Sequence, residues 1–238
     1  MKTNYKMRRG FTLVELLVVI VIIAALAGLT APMVIRQRKK ADQTEAVSNA
    51  RQVGLALFEF ENEYGNYPDG TSAAAVTAAT GSSLTLGTTN SNDFFRQLLA
   101  GNFTQSEKMF YAKVTGTIKP DDNISGVEAL KAGEVGFAYI MNTATEGFSA
   151  AGNPSRPLAV SPVFAGATDG TFDAAPFDSK AIVLRMDNSV SSINIRADKK
   201  IILGGVGSEL LTTGVSTVWG VSSPPVIKVP TPKSTPKP

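Results

Sequence analysis

From Leu16 to Ile35 the chain runs for twenty residues without a charge, most of them Leu, Ile, Val or Ala. At about 1.5 Å per residue, a helix of that length covers the roughly 30 Å hydrocarbon thickness of a bilayer. Directly before the run, inside the same apolar stretch RRGFTLVELLVVIVIIAALAGL, stands one carboxylate, Glu15. A charge at the centre of a membrane helix costs about 2.5–3.5 kcal/mol even on a lenient insertion scale, so an acid retained there calls for a partner or a task.

The span is collared by cations on both sides: Lys2, Lys6, Arg8 and Arg9 before it, and Arg36, Arg38, Lys39 and Lys40 after it. Long cationic side chains at such boundaries reach into headgroups. The two collars tie under the positive-inside rule, and the tie is broken by length. Roughly two hundred residues follow the span and only ten precede Phe11, which favours a cytoplasmic N-terminus with the domain on the far side. A rival reading is a secretory signal cut after Ala25-Leu26-Ala27, ahead of Gly28. Against it stand Glu15 and the apolar continuation through Met33, Val34 and Ile35.

Arg9-Gly10-Phe11-Thr12-Leu13-Val14-Glu15-Leu16 resembles the N-terminal signal of type IV prepilins and of the pseudopilins of type II secretion. The resemblance implies that a membrane peptidase cuts between Gly10 and Phe11 and then methylates the new amine of Phe11. It also makes Glu15 the residue that meets the terminal amine of a neighbouring subunit and sets the register of a helical filament. Independent of the family, a cut there would leave a cationic amine about one helical turn from the acid, where the two can neutralise each other in a medium of low dielectric. Buried ion pairs add little net stability but can fix register. Gly28 and Pro32 mark a bend in the helix, since proline removes a backbone donor and crowds the preceding turn, and Pro32 matches a proline of the family.

Beyond the collar, Ala46, Ala50, Val53, Leu57, Phe60 and Tyr64 recur at spacings of four and three and draw one apolar stripe. The helix is therefore expected to continue from Phe11 to about Tyr64, roughly 80 Å at 1.5 Å per residue. Gly65 and Pro68 end it. The run Gly65-Asn66-Tyr67-Pro68 is similar to the helix stop of the major pseudopilins, so the resemblance covers residues 8–68, roughly a quarter of the chain. Past Pro68 the subfamily's short pattern gives way to a long insertion.

Charge follows from processing. The chain has 23 Lys and Arg against 20 Asp and Glu. Loss of residues 1–10 removes four cations and no acid, leaving 19 against 20, so the basic balance does not argue for nucleic-acid binding. Three further cations, Lys228, Lys233 and Lys237, belong to the tail, which leaves residues 11–223 mildly acidic. There is no cysteine, hence no disulfide and no thiolate metal site, a departure from many type IV pilins that tilts the reading towards the pseudopilins. There is no histidine either, which removes the Ser-His-Asp and Cys-His arrangements and the usual near-neutral base. No GxxxxGK[ST] or GxGxxG loop occurs. An enzyme is not expected.

The organisation expected is a leader (1–10), a transmembrane half-helix (11–35), an exposed amphipathic half-helix (36–66), a pilin-like domain (67–223) and a disordered Pro/Lys-rich tail (224–238). The fold class is α+β, a long N-terminal helix laid on a small, mainly antiparallel sheet. Residues 69–91, rich in Thr, Ser, Ala and Gly, read as an exposed mobile loop. Asn92 or Asp93 caps a short helix ending at Gly101, and Val127 to Lys131 forms another. Strands are expected at 110–118, 135–141, 158–164 and 181–186, the last turning at Asp187-Asn188 into 190–195. Asp169, Asp173 and Asp178 in one glycine-containing loop suit calcium, which the family's major pseudopilins use to brace a C-terminal loop; solvated turn acids are the alternative.

Three functions compete. The first is a structural subunit of a type II secretion pseudopilus in the bacterial inner membrane, with further copies, other pseudopilins, the prepilin peptidase, the inner-membrane assembly platform and membrane lipid as partners. The second is a type IV pilin for adhesion, motility or DNA uptake. The third is a single-span envelope protein that binds a ligand or catalyses a reaction.

Overall fold

The computed structural model describes residues 11–203 and 208–233, with the backbone alone at 30–32. Its elements are α1 (Leu13–Tyr64), α2 (Ser72–Thr80), α3 (Ser91–Ala100) and five strands, β1 (Ala138–Met141), β2 (Pro157–Ser161), β3 (Lys180–Arg185), β4 (Val190–Asn194) and β5 (Val226–Lys228). The chain divides into two units, one through Lys39 and one from Lys40 onward.

In the second unit the predicted stripe is the buried face of α1: Ala46, Ala50, Val53, Leu57 and Phe60 are each no more than 1% exposed. Gly54 lies on the same face, against Leu184 and Asn188 of the β3–β4 hairpin. A side chain at Gly54 would intrude on that contact, which explains a residue of poor helix propensity in mid-helix. Asn49 fixes the helix further by donating to the carbonyls of Lys108 and Tyr111. At the end of α1, Gly65 adopts a φ of 83° and its amide bonds to Glu61 O, the left-handed cap expected of it.

The sheet is antiparallel throughout, in the order β4-β3-β2-β1-β5. β1 and β2 are buried along their whole length, and β3 is buried except at its two ends. That matches their unbroken apolar sequence; a strand covered on both faces needs no alternation. β4, VSSIN, is a polar and partly exposed edge, joined to β3 by a turn in which Asn188 takes φ 59°. α3 packs on β1 through Phe94 and Phe95, both beside the Tyr139 ring.

Several expectations are corrected. Residues 69–91 are not simply a loop: Ser72–Thr80 is helical, with Val76 buried and Gly81 as its left-handed cap. An alanine-rich stretch carries high helix propensity, and the Asp69 carboxylate receives the amides of Thr71 and Ser72 at its start. The cap of α3 is Asn90, in a reciprocal box with Asp93, and not Asn92 or Asp93. Asn92 instead donates to the Leu130 carbonyl and accepts from the Thr231 amide.

No strand forms at 110–118. There the Thr117 hydroxyl bonds to the carbonyls of Ala112 and Val114 and curls the segment back. Residues 127–130 are turns and Lys131 is irregular, because the amides of Leu130 and Lys131 are taken by the carboxylates of Glu107 and Glu134 and are lost to a helix ladder. The tail is ordered from 226 to at least 233. β5 pairs with β1, the amide of Gly133 bonds to Thr231 O, and Lys233 donates its own amide to Gly116 O. Its prolines, 224, 225, 230 and 232, flank the three-residue strand and do not interrupt it. Residues 234–238 lie outside the described residues.

Candidate functional site

In the first unit, residues 11–29 and 33–38 of the chain are all exposed, including every Leu, Ile and Val there. Phe11 is 80% and Leu13 79% exposed. The window that qualifies α1 as a membrane span by length and composition has none of its residues buried within the chain. Nothing among the described residues covers this apolar segment, and an uncovered apolar surface of that size marks a contact with lipid or with another protein.

At the head of this helix, Thr12 is the N-cap and Glu15 the third helical residue. The Thr12 amide and hydroxyl both donate to Glu15 Oε2, each at 2.8 Å. The Glu15 amide in turn donates to Thr12 Oγ1 at 3.2 Å. The pair is a capping box. The carboxylate thus satisfies a helix-end donor through Oε2, and none of the described residues donates to Oε1. Sequence reading of Glu15 as a lone charge missed Thr12, although the Thr-x-x-Glu spacing ahead of an apolar run is the signature of that box.

Phe11 precedes the helix, and Gly10 lies outside the described residues. α1 passes through Gly28 without interruption, and nothing stands within 4 Å of where a Gly28 side chain would begin. The Pro32 side chain lies outside what is described.

The three acids of the proposed calcium loop have separate surroundings. Asp169 is engaged by Lys200 Nζ at 2.9 Å and by the Thr171 hydroxyl at 2.8 Å, and these bonds, Lys200 foremost, hold its carboxyl at about 2. Asp173 accepts from the Thr115 hydroxyl at 2.6 Å. Asp178 is exposed, in a left-handed turn with φ 52°. Among the described residues these three carboxylates do not meet around one ion-sized space.

Residues 5–31 match the family model described as the prokaryotic N-terminal methylation motif. The chain carries that motif. Around the methylation motif it is similar to the type II secretion system core protein G of several bacteria. The protein of Pectobacterium carotovorum subsp. carotovorum is 41% identical over 61 residues, 26% of this chain and 39% of that protein. The protein of Escherichia coli (strain K12) is 43% identical over 63 residues, 26% of this chain and 42% of its own length. That of Aeromonas hydrophila is 42% identical over 59 residues, 25% of this chain and 41% of its own length. The chain thus spans about two fifths of the length of the curated relatives it matches. No solved structure matches it.

Proposed function

We propose that this chain is a pseudopilin, a structural subunit of a type II secretion pseudopilus. The observation that carries the reading is the methylation motif at 5–31 leading into the apolar first part of α1, whose side chains at 13–29 and 33–38 are all exposed. In this reading the peptidase cuts between Gly10 and Phe11 and methylates Phe11. The helix holds the subunit in the bacterial inner membrane, N-terminus cytoplasmic and domain periplasmic, until the assembly platform extracts it. Helices of successive copies, and of other pseudopilins, then replace lipid as the cover for residues 13–35.

Glu15 supplies the register. Its cap with Thr12 fixes the carboxylate at the first turn of the helix, where the amine of a neighbouring Phe11 can pair with it while both are shielded from water. Further along α1, Leu55 and Phe58 are 55% and 48% exposed, opposite in role to the buried stripe. They give the bundle an apolar contact beyond the membrane half. Nothing in this role requires catalysis by the chain.

The test is deletion of the gene with measurement of protein secretion beside twitching and adhesion. Loss of secretion with motility intact supports the pseudopilus. Loss of twitching or adhesion with secretion intact assigns the subunit to a type IV pilus.

A further inference from the structure

Between α3 and β1 the chain folds three acids together that the filament reading does not use. Glu107 and Glu134 are fully buried, and Asp121 lies at the surface beside them. One carboxylate oxygen from each lies within 4.8 Å of one from each of the others. Local bonding fixes the two buried groups: Glu107 Oε1 accepts the Leu130 amide at 2.6 Å and Glu134 Oε2 the Lys131 amide at 2.9 Å. Their remaining oxygens, Glu107 Oε2 and Glu134 Oε1, are buried without a hydrogen-bond donor. A buried carboxylate oxygen left unsatisfied is costly, and two of them beside a third acid call for positive charge.

Lys131 meets that call in part, through ion pairs with Asp121 and Glu134, but among the described residues no cation is paired with Glu107. Lys131 bonds Asp121 and stands 3.4 Å from Glu128, but its Nζ is 3.6 Å from Glu134 Oε1. Lys108 is committed to Asp122.

We propose that Glu107, Asp121 and Glu134 form a binding site for a hard divalent cation, calcium by preference. Oxygens on opposite sides of a calcium ion are up to about 5 Å apart, given metal–oxygen distances of about 2.3–2.6 Å, and the cluster fits inside that span. The three acids come from separate irregular segments, which suits calcium's flexible coordination better than the near-ideal octahedron magnesium demands. Lys131, a third exposed on a flexible stem, moves aside towards Glu128 as the ion enters. The bound ion ties the turn before residue 108, the 119–124 segment and the approach to β1 into one unit. This site is distinct from Asp169, Asp173 and Asp178 and does not depend on filament assembly.

The full-length protein in detergent, stripped with a chelator, is titrated with calcium and separately with magnesium by calorimetry, alongside thermal melts. Calcium binds saturably, one ion per chain, more tightly than magnesium, and raises the melting temperature. Asp121→Asn, at a half-exposed position that leaves folding intact, weakens calcium binding about tenfold or more, as expected for loss of a charged ligand. Glu107→Gln abolishes binding, Lys131→Met tightens it, and Asp169→Asn leaves it unchanged. Absence of saturable binding by the wild-type chain overturns the site, as does binding that survives Asp121→Asn or is lost in Asp169→Asn. Calcium-independent melting together with an infrared band of a protonated buried carboxyl would assign the pair a shared proton and overturn it equally.

Discussion

Thr12 and Glu15 close the first turn of α1 on each other, amide to carboxylate at 2.8 Å and amide to hydroxyl at 3.2 Å. One side chain therefore has two roles that substitutions can separate. Glutamine at 15 can still accept the Thr12 amide but carries no charge. Removing the Thr12 hydroxyl keeps the charge and loosens the turn.

Glu15→Gln is expected to preserve helix content and membrane insertion while failing to enter filaments beside wild-type subunits. Thr12→Val is expected to enter them, with the N-terminal turn destabilised by about 1 kcal/mol, the usual worth of a cap. Hydrogen exchange at residues 13–16 reads the second effect and filament pull-down the first. Normal assembly of Glu15→Gln would remove the register role.

Mass spectrometry of the membrane-extracted chain should find it beginning at Phe11 and heavier by one methyl group. Gly10→Glu should leave Met1 at the terminus and abolish assembly. A terminus at Gly28 would instead establish the secretory signal.

Gly136 offers a test of packing. A Cβ there would stand 2.5 Å from the Ala112 amide nitrogen and 2.6 Å from its carbonyl oxygen, both main-chain atoms with little room to yield. Gly136→Ala should cost about 1–3 kcal/mol. In a domain of this size that lowers the melting temperature by roughly 2–4 °C per kcal/mol.

Asp69 predicts an acid limb. Burial alone would raise its carboxyl, but bonds from Ser72, Thr71 and Gly147 outweigh burial and hold it below the ordinary value. A depressed carboxyl stabilises the fold above its unfolded-state value, and that contribution is lost as pH falls through the folded one. Asp69→Asn should be less stable than the wild type at neutral pH and lose less on acidification below about 4, in melts across that range. Parallel curves would exclude the role.

What the sequence made legible was governed by short-range periodicity. The stripe is buried as drawn from Ala46 to Phe60 and partly buried at its last member, Tyr64, and the strands expected from 158, 181 and 190 form as β2, β3 and β4. The misses came where long-range or side-chain partners decided the backbone. Thr117 curled 110–118 and the buried glutamates claimed the amides of 130 and 131. The proline content of the tail suggests solvated chain, whereas β1 pairs with three residues of strand between the prolines. At the N-terminus, Glu15 was visible at once from its isolation in apolar sequence. The Thr12 cap and the Glu107–Asp121–Glu134 cluster were not, one because a single hydroxyl ahead of an apolar run gives no periodic signal, the other because only the fold brings 107, 121 and 134 together.

Truncation after Ser223 should uncover the edge of β1. It removes the ladder from Tyr139, Ile140 and Met141 to Lys228, Ile227 and Val226, and the Thr231 bond to Asn92. Faster amide exchange across 138–141, with loss of solubility typical of an open apolar edge, is the expected result. Unchanged exchange would make β5 dispensable.

The pairing of β5 with β1 joins positions almost ninety residues apart and makes the last strand among the described residues the cover for a strand laid down much earlier. Until residue 228 has been made, one side of β1 stands open. A chain arrested between the two strands is an intermediate with that edge unpaired, primed to capture a neighbour's strand.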